Sequence, residues 1–438
     1  MRLRPALPWR PLPRCPTAVT RWAHRWAVVA LRDNSSSNSS VSGRRTWTAP
    51  NTWRRPWART RSRSGPSSTA DRPASRRTEV PALRFHVVNF PNTQTTRRYQ
   101  PCAYTQKIRR FAGMMTGLGH EVFLYGGAEN DAACTEFVTI ASKAEQDEWF
   151  GGNDLLREPN NLTWNRYDPH WTTTNERAIT EIAKRKRDRD FICVLGGTCQ
   201  QPIADTFPEL MTVEFGIGYS GVFADYRVFE SYAWMNAVYE SVPGARRANA
   251  TFRDAVIPNY YEVEDFPFAE RKDDYFLFIG RLVEEKGVHI AVETCQRLGA
   301  KLVVAGAGTP PPAELADYVG VVDHVRRGEL MSRARGVFVP SLYLEPFGGV
   351  HAEAMLCGTP VITTDWGVFP ETVRQGVHGY RCRTPDEFLA AAESVDRLDY
   401  RQIREYAVSK FSTEVVAPQY EAYFERIGRL WGHGWNAA

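Results

Sequence analysis

The stretch Glu345-Pro-Phe-Gly-Gly-Val-His-Ala-Glu353 decides how this chain folds and where it binds. It follows Val337-Phe-Val-Pro340, a short apolar run that is typical of a buried strand. The pair Gly348-Gly349 can then open a helix whose first backbone N–H groups point toward an anion. The sequence therefore predicts a strand-to-helix loop that binds an anion, and the anion we expect there is a diphosphate.

Two carboxylates lie eight residues apart in this stretch. Glu345 is expected in the loop at the carboxyl end of the strand, and Glu353 is expected in the first turns of the helix. Ionised carboxylates only accept hydrogen bonds, so these two positions suit the hydroxyl groups of a sugar or a ribose. Neither carboxylate needs to be a catalytic acid.

A second segment, Tyr275-Phe-Leu-Phe-Ile-Gly-Arg-Leu-Val-Glu-Glu-Lys286-Gly287, places two cations after a strand. The apolar run ends at Gly280, Arg281 follows directly, and Lys286 stands where a helix over 287–297 is predicted to begin. A guanidinium and an ammonium at this place can neutralise a diphosphate leaving group as the bond to it breaks. A third strand, over 301–305, leads into Gly306-Ala-Gly308, although two glycines after a strand often make only a turn.

Each of these elements has a simpler interpretation when it is taken alone. Arg281 with Glu284 or Glu285 would make a solvated ion pair worth a fraction of a kcal/mol. A pair of glutamates with this gap also arises by chance. Because all the elements follow strands in one order, the sequence favours a nucleotide-sugar site.

Together these segments, continuing into Cys357-Gly-Thr-Pro-Val-Ile362, resemble the donor half of retaining glycosyltransferases of family 4. That resemblance implies an α/β architecture, the GT-B fold, in which two Rossmann-like doubly wound domains face each other across a cleft. It also implies the activity of a hexosyltransferase. The donor would be a nucleoside diphosphate sugar, and the acceptor would be a hydroxyl group.

The resemblance also assigns roles to residues. Arg281 and Lys286 would hold the donor diphosphate and act in catalysis with Glu345, which would contact the sugar, while Glu353 would contact the ribose. The rest of the expected donor site is Gly306, Phe347, Gly348 and Gly349. The leaving diphosphate would itself deprotonate the acceptor, so we expect no side-chain base, no metal and no cofactor besides the UDP- or GDP-sugar. The one D-x-D sequence, Asp188-Arg-Asp190, is interpreted as a solvated helix end.

Composition separates residues 1–80 from the rest of the chain. They hold 17 arginines, no lysine and three acidic residues, so they carry +14 and the remainder carries −9. With no sustained apolar period, they are predicted to be a disordered tail. The tail could be a nucleic-acid or membrane arm, a transit peptide, or upstream sequence with no selected function. We favour the last, with a start near 80–84, because a basic arm ordinarily mixes lysine with arginine.

Strands and helices alternate from Arg84 onward, as a doubly wound sheet requires. We predict strands over 84–90, 121–125, 191–195 and 211–215, and helices over 101–118 and 174–187. The stretch 128–171 resists assignment and is a place for an insertion. The predicted domains are the tail (1–80), an acceptor domain (81–262), a donor domain (263–412) and a helix (413–438) that crosses back to the acceptor domain.

The acceptor domain is expected to supply the other side of the cleft. The carboxyl ends of parallel strands face the binding crevice, and glycines follow two of these strands. Many members of the family that this chain resembles carry a histidine after the middle strand, where this chain reads Gly-Gly-Thr-Cys-Gln; either Gln200 substitutes or the sugar contact comes from elsewhere. The residues we expect at this side, where plain turns are the alternative, are Gly196, Gly197, Gln200, Gly216 and Gly218. His351 is expected to pack in the core.

Eight cysteines without C-x-x-C or metal-ligand spacing indicate buried thiols of a reducing cytoplasm. No 18 apolar residues run together, so we predict no membrane span and at most peripheral membrane contact. We expect no nucleic-acid partner. The acceptor stays open between carbohydrate, lipid and small metabolite. A GT-B phosphorylase, a nucleotide-sugar epimerase, or a non-catalytic sugar-nucleotide or glycan binder would use the same cleft.

Overall fold

A computed structural model describes residues 82–99, 102–151, 162–241 and 251–431 of this chain. The predicted tail over 1–80 and the last residues of the predicted crossing helix lie outside these ranges. The described chain forms two parallel sheets with helices packed on them. This is the doubly wound α/β architecture expected from the alternating pattern.

The first sheet contains seven of the described strands, all parallel, in the order β3-β2-β1-β4-β5-β6-β7. Its order reverses between β1 and β4, which creates a crevice at the carboxyl ends of the strands. Its elements are β1 (Arg84–Val88), α1 (Ala103–Gly117), β2 (Glu121–Gly126), β3 (Glu136–Thr139), α2 (Lys143–Phe150), α3 (Pro169–Arg185), β4 (Phe191–Val194), α4 (Gln201–Thr206), β5 (Met211–Ile217), β6 (Tyr226–Phe229), α5 (Tyr232–Ser241) and β7 (Ala255–Val256).

The second sheet contains six of the described strands, also parallel, in the order β10-β9-β8-β11-β12-β13, with its reversal between β8 and β11. Its elements are β8 (Phe276–Ile279), α6 (Val288–Leu298), β9 (Leu302–Ala305), β10 (Asp317–Tyr318), α7 (His324–Arg333), β11 (Gly336–Val339), α8 (Gly349–Leu356), β12 (Val361–Thr364), α9 (Phe369–Thr372), β13 (Gly379–Cys382), α10 (Pro385–Ser394), α11 (Tyr400–Phe411) and the final helix α12 (Thr413–Gly428).

The final helix, α12, packs on the first sheet although it follows the second sheet in sequence. The ring of Phe424 lies 4.7 Å from that of Phe85 in β1 and 5.1 Å from that of Phe191 in β4, between centroids. Tyr420 lies 5.3 Å from Phe111 of α1 by the same measure. These side chains are almost completely buried, so α12 completes the hydrophobic core of the first sheet.

The stretch 128–171 is not an insertion in its described part. It supplies the edge strand β3, the helix α2 and the start of α3. Ser142 and Glu145 form a capping box at the start of α2, a local signal that the sequence analysis passed over. The strand β6 and the helix α5 were also not predicted.

Asp188 is exposed, as the interpretation of a solvated helix end requires, but Asp190 is buried, so the interpretation was wrong for Asp190. Its carboxylate accepts a hydrogen bond from Arg84 Nε at 3.0 Å and lies 3.0 Å from His86 Nε2. It therefore ties the turn after α3 to β1. The cysteine prediction holds for Cys193, Cys199, Cys295, Cys357 and Cys382, whereas Cys102 and Cys134 are only half-buried. Among the described helices, none has the length and apolar content that crossing a bilayer would require.

Candidate functional site

A cleft of about 530 Å³ lies at the carboxyl ends of both sheets. One side, the carboxyl wall, consists of lining residues between 278 and 353 in the second sheet and its loops. The opposite side, the amino wall, consists of lining residues between 103 and 234 in the first sheet and its helices. The polar and aromatic lining residues include Tyr104, Lys107, Arg110, Glu230, Trp234, Tyr261, Arg281, Lys286, Arg327, Ser341, Tyr343, Glu345 and Glu353.

Glu345 is the centre of the carboxyl wall, and three side chains donate hydrogen bonds to it. Lys286 Nζ and Ser341 Oγ donate to its Oε2 at 2.8 and 2.7 Å, and Tyr343 OH donates to its Oε1 at 2.6 Å. Lys286 Nζ also donates to Tyr343 OH at 2.6 Å. The carboxylate therefore brings together the loops after β8 and β11, on the two sides of the order reversal.

These contacts keep Glu345 ionised. Burial alone would raise the pKa of this carboxyl group, which is only 4% exposed. The charge of Lys286 and the hydrogen bonds from Lys286, Ser341 and Tyr343 outweigh burial, so the pKa lies below its ordinary value of 4.5. Glu345 is thus ionised near neutral pH and accepts hydrogen bonds, which agrees with the acceptor position expected from the sequence.

Two glycines allow the wall to close around this carboxylate. Gly348, at φ +69°, precedes α8, and a Cβ there would lie 2.7 Å from Glu345 Cγ. Gly287, at φ +71°, precedes α6, and its Cβ would lie 2.2 Å from the carbonyl oxygen of Pro340. Only glycine fits such an approach without moving the backbone. The predicted helix opening at Gly348 is confirmed, and Phe347, Gly348 and Gly349 line the cleft.

Arg281 lies exposed in the cleft, directly after Gly280. None of the carboxylates in the described ranges pairs with its guanidinium, so the surface ion pair with Glu284 or Glu285 is not formed. Gly306 supports this loop without lining the cleft, because its Cβ would lie 1.7 Å from the carbonyl oxygen of Gly280. Gly306 was predicted to line the donor site, but it lies behind the loop that contains Gly280 and does not line the cleft.

Glu353 lies in α8 and forms an ion pair with Arg327 of α7. Its Oε1 is near Gly349, whose Cβ would lie 3.5 Å from it and 2.8 Å from Tyr261 OH. Across the cleft, Arg110 stacks on the ring of Tyr261 at 5.1 Å. Glu353 thus lies at one end of the cleft, among residues that the sequence analysis did not single out.

The structure brings only one of the five predicted amino-wall residues, Gly218, to the cleft. Gln200 is buried, and its side-chain oxygen accepts from the backbone N–H groups of Leu195 and Gly196, at 3.1 and 2.7 Å. Its amide nitrogen donates to carbonyl oxygens at the end of β1. Gln200 therefore fills the crevice between β1 and β4, so neither it nor the Gly196-Gly197 turn faces the cleft.

Gly216 and Gly218 make room for a buried ion pair. A Cβ on Gly216 would lie 3.0 Å from Lys107 Cδ, and a Cβ on Gly218 would lie 2.7 Å from Glu230 Oε2. Lys107 Nζ contacts Glu230 Oε1 and donates to the carbonyl oxygen of Gly216 at 3.2 Å. The two glycines were predicted as cleft residues, and the pair that explains them was missed.

The two walls meet at the loops that follow β6 and β11. Ser231 Oγ donates to the carbonyl oxygen of Pro346 at 2.6 Å. The carboxylate of Glu371, from α9, accepts from the backbone N–H groups of Tyr232 and Ala233 at 2.9 and 2.7 Å, at the start of α5. The second sheet therefore caps a helix of the first sheet directly beside Glu345.

His351 is fully buried, and its Nδ1 lies 2.6 Å from the carbonyl oxygen of Gly348. Burial lowers its pKa to about 4, so the imidazole is neutral at physiological pH. It packs against Phe347, Phe369 and Phe411. The predicted packing role is confirmed.

Several residues that line the cleft escaped the sequence analysis for different reasons. In Ser341-Leu-Tyr-Leu-Glu345 the three polar residues alternate, a period that would have placed Ser341 and Tyr343 on one face with Glu345. Lys107, Glu230 and Arg327 carry no such local signal, because their partners lie far away in the sequence. In the part of the chain that the structure describes, no cluster of histidine, cysteine, aspartate or glutamate suits a metal ion.

Comparison with known proteins points to one family for the carboxyl wall. Residues 273–398 match the family described as Glycosyl transferases group 1. Glycogen synthase of Mycobacterium tuberculosis is 33% identical over 190 residues, which are 37% of this chain and 46% of that protein. Phosphatidyl-myo-inositol mannosyltransferase of the same species is 28% identical over 206 residues, 40% of this chain and 54% of that protein. The chain thus spans about half the length of these curated relatives.

Solved structures resemble more of the chain. A glycosyltransferase involved in avilamycin A biosynthesis has a TM-score of 0.56 at 20% identity, covering 80% of this chain and 98% of that one. Sucrose-phosphate synthase from Thermosynechococcus elongatus has a TM-score of 0.58 at 16% identity, covering 79% and 99%. These similarities establish the fold, with both sheets included. Residues 273–398 of this chain are therefore similar to the glycosyl transferases of group 1, and its two sheets together form the GT-B fold.

Proposed function

We propose that this chain is a retaining glycosyltransferase that transfers a hexose-type sugar from a nucleoside diphosphate sugar to a hydroxyl acceptor. One observation carries the proposal. Lys286 holds Glu345 ionised while Arg281, without a carboxylate partner in the described ranges, and the opening of α8 face the same cleft. Two cations and a helix N-terminus at one place suit a diphosphate that gains charge as it leaves.

The walls position the reaction in the following way. The bond between the sugar carbon and the diphosphate breaks, and the added negative charge on the phosphate is stabilised by Arg281, Lys286 and the first N–H groups of α8. The acceptor oxygen forms the new bond to the same carbon, and its proton passes to the leaving phosphate. Glu345 accepts a hydrogen bond from a sugar hydroxyl, so no side-chain base takes part.

The donor nucleotide binds toward Glu353. This carboxylate is held by Arg327 and is suited to accept from the ribose hydroxyls. Solved structures with this fold contain UDP with glucose, from Anabaena, and UDP with GlcNAc, from a pneumococcal transferase. UDP-glucose is therefore the first donor to test, and GDP-mannose is the second.

We propose that the reaction needs no metal and no cofactor, since Arg281 and Lys286 supply positive charge where a metal would otherwise act. We also propose a cytoplasmic location. The cysteines of the described ranges are all free thiols, which a reducing compartment maintains.

The experiment uses the full chain and measures the binding of UDP, GDP and ADP by calorimetry and thermal unfolding. At about 100 times its dissociation constant, the correct nucleotide should stabilise the protein by roughly 2.7 kcal/mol. Lys286→Met should weaken this binding, whereas Lys301→Met, at an exposed lysine of the same domain, should not. NMR of the product then reports the anomeric configuration. Folded protein that binds none of the nucleotides, or an inverted product, would refute the proposal.

A further inference from the structure

Tyr343 lies in the carboxyl wall, between two charged side chains that the proposed reaction uses. Its hydroxyl group accepts a hydrogen bond from Lys286 Nζ and donates one to Glu345 Oε1, both at 2.6 Å. Lys286 also donates directly to the other carboxylate oxygen, Oε2, at 2.8 Å. The three side chains therefore form a closed triangle of hydrogen bonds, and all three line the cleft.

The backbone around Tyr343 is fixed by two neighbouring loops. The carbonyl oxygen of Tyr343 accepts from Trp366 Nε1 at 3.3 Å, in the loop after β12. The N–H of the preceding residue, Leu342, donates to the carbonyl oxygen of Glu285 at 2.8 Å, directly before Lys286. The phenol is thus placed beside Lys286 by contacts that do not involve the side chain of Lys286.

The hydroxyl group of Tyr343 keeps its proton at physiological pH. Burial and the nearby charge of Glu345 raise the pKa of this phenol above its ordinary value of 10. A neutral phenol can accept a hydrogen bond from Lys286 while it donates one to Glu345. Tyr343 therefore links the two charged groups without neutralising either of them.

This link determines how Lys286 and Glu345 share their hydrogen bonds. An ammonium group has three N–H donors, and that of Lys286 meets two acceptors among the described residues, Tyr343 and Glu345. The side chain of Lys286 is 21% exposed, so its remaining donor can reach a ligand in the cleft. Within the described ranges, Tyr343 is also the one donor to Glu345 Oε1. Because Tyr343 occupies that oxygen, Lys286 stays on Oε2.

Removing the hydroxyl group would change this arrangement. The ammonium of Lys286 would have one acceptor fewer, and the carboxylate of Glu345 would have one donor fewer. A carboxylate oxygen attracts an ammonium more strongly than a phenol oxygen does, because it carries part of a full negative charge. The released N–H of Lys286 would therefore turn toward Oε1, and the two charges would satisfy each other. Tyr343 prevents Lys286 from being drawn fully onto Glu345.

Building on the proposed function, we propose that Tyr343 is a positioning residue that holds the ammonium of Lys286 toward the leaving diphosphate. Tyr343 makes no bond to the sugar and takes no proton. Its hydroxyl group keeps one N–H of Lys286 away from Glu345, so that the ammonium meets the phosphate oxygen on which charge develops. The effect is largest in the transition state, where that charge is greater than in the bound donor.

The first test measures Tyr343→Phe in the full chain by steady-state release of UDP from UDP-glucose, or of GDP from GDP-mannose if the protein binds that donor. Phenylalanine keeps the ring and removes only the hydroxyl group. We expect kcat to fall about tenfold or more, while the donor KM changes by less than about threefold. The control is Tyr275→Phe, which removes a hydroxyl that donates to the carbonyl oxygen of Leu330 at 2.8 Å, outside the cleft. Equal kcat values for the two variants, or a raised KM with unchanged kcat, would overturn the inference.

The second test asks whether the hydroxyl group acts through Lys286. In a Lys286→Met background, Tyr343→Phe should change kcat by less than about twofold, because the ammonium that it positions is absent. In an Arg281→Met background, the same substitution should keep its full effect on kcat. A role confined to supporting the loop would give the same loss of kcat in both backgrounds, and that result would refute the inference.

The two proposals fail in different ways. Folded wild-type protein that binds none of the nucleotides would contradict the proposed function and, with it, the positioning role. Wild-type protein that binds the nucleotide and releases it from the sugar, with Tyr343→Phe as active as Tyr275→Phe, would contradict the positioning role alone.

Discussion

The two walls of the cleft use the same kinds of charged side chain in opposite ways. On the carboxyl wall, Arg281 is exposed toward the cleft, and Lys286 is only half-buried beside Glu345. On the amino wall, Lys107 and Glu230 are buried against each other. The carboxyl wall thus exposes the guanidinium of Arg281 to the cleft, whereas the charges of Lys107 and Glu230 on the amino wall are buried against each other. The difference indicates that the carboxyl wall is arranged to bind an anion, which in the proposed function is the diphosphate of the donor.

The largest expected effect follows from replacing Lys286 on the carboxyl wall. Lys286→Met removes a cation from the leaving diphosphate and also removes one donor from buried Glu345. We expect kcat/KM to fall by about 10²- to 10³-fold, measured by steady-state release of the nucleotide. Lys301→Met should retain wild-type kcat/KM. Equal activity of both variants would mean that the carboxyl wall does not stabilise the leaving group.

The next effect concerns Gly218, whose missing side chain leaves room for the ion pair of Lys107 and Glu230. Gly218→Ala brings a methyl group within 2.7 Å of Glu230 Oε2, so we expect the free energy of unfolding to fall by about 1–3 kcal/mol. Gly113→Ala, in the middle of α1, meets no atom within 4 Å and should stabilise the protein by about 0.5–1 kcal/mol. Urea denaturation measures both changes. Two changes of the same sign would contradict the packing described for this wall.

A smaller effect tests the contact that joins the walls. Glu371→Ala removes the carboxylate that accepts from the first N–H groups of α5, and capping of this kind contributes about 0.5–2 kcal/mol. Hydrogen exchange of the Tyr232 and Ala233 amides should become faster. Glu393→Ala, at an exposed position of α10, should leave this exchange unchanged. Unaltered exchange in Glu371→Ala would show that α5 does not depend on the second sheet.

The smallest expected effect is the contribution of Glu345 to the pH dependence of the free energy of unfolding. Because the native pKa of Glu345 lies below its ordinary value of 4.5, this group adds stability that is complete above that pH and is lost as the pH falls through the native pKa. Wild-type stability should therefore decline more steeply below pH 4.5 than that of Glu345→Gln, measured by urea denaturation at a series of pH values. Parallel curves would mean that Lys286 does not hold the carboxylate in solution.

The carboxyl wall was predictable because its residues are close together in the sequence. Arg281 and Lys286 occupy one loop, and Glu345 and Glu353 occupy one strand-to-helix connection, so glycines and spacing reveal them. Lys107 lies in a helix and Glu230 in the loop after a strand far along the chain, and only tertiary packing brings them together. Gln200 was predicted as a cleft residue because it follows a strand. Its amide instead joins β4 to β1, which the position in the sequence alone does not reveal.

The fold was predictable to a similar degree. Strands with continuous apolar runs, such as β4 and β8, were found within a residue or two. The strand β6, with sequence Tyr-Arg-Val-Phe, includes Arg227, which pairs with Asp254, and its burial depends on that partner. No periodic pattern in the sequence could have revealed it.

The packing of α12 on the first sheet has a consequence for biosynthesis. The strands of that sheet leave the ribosome well before Tyr420 and Phe424, which fill its core. Until α12 emerges, Phe85 and Phe191 lack the contact with Phe424, so this part of the core is incompletely covered. The second sheet can complete its own packing during this interval, so the half of the protein that is synthesised first is expected to be the last to finish folding.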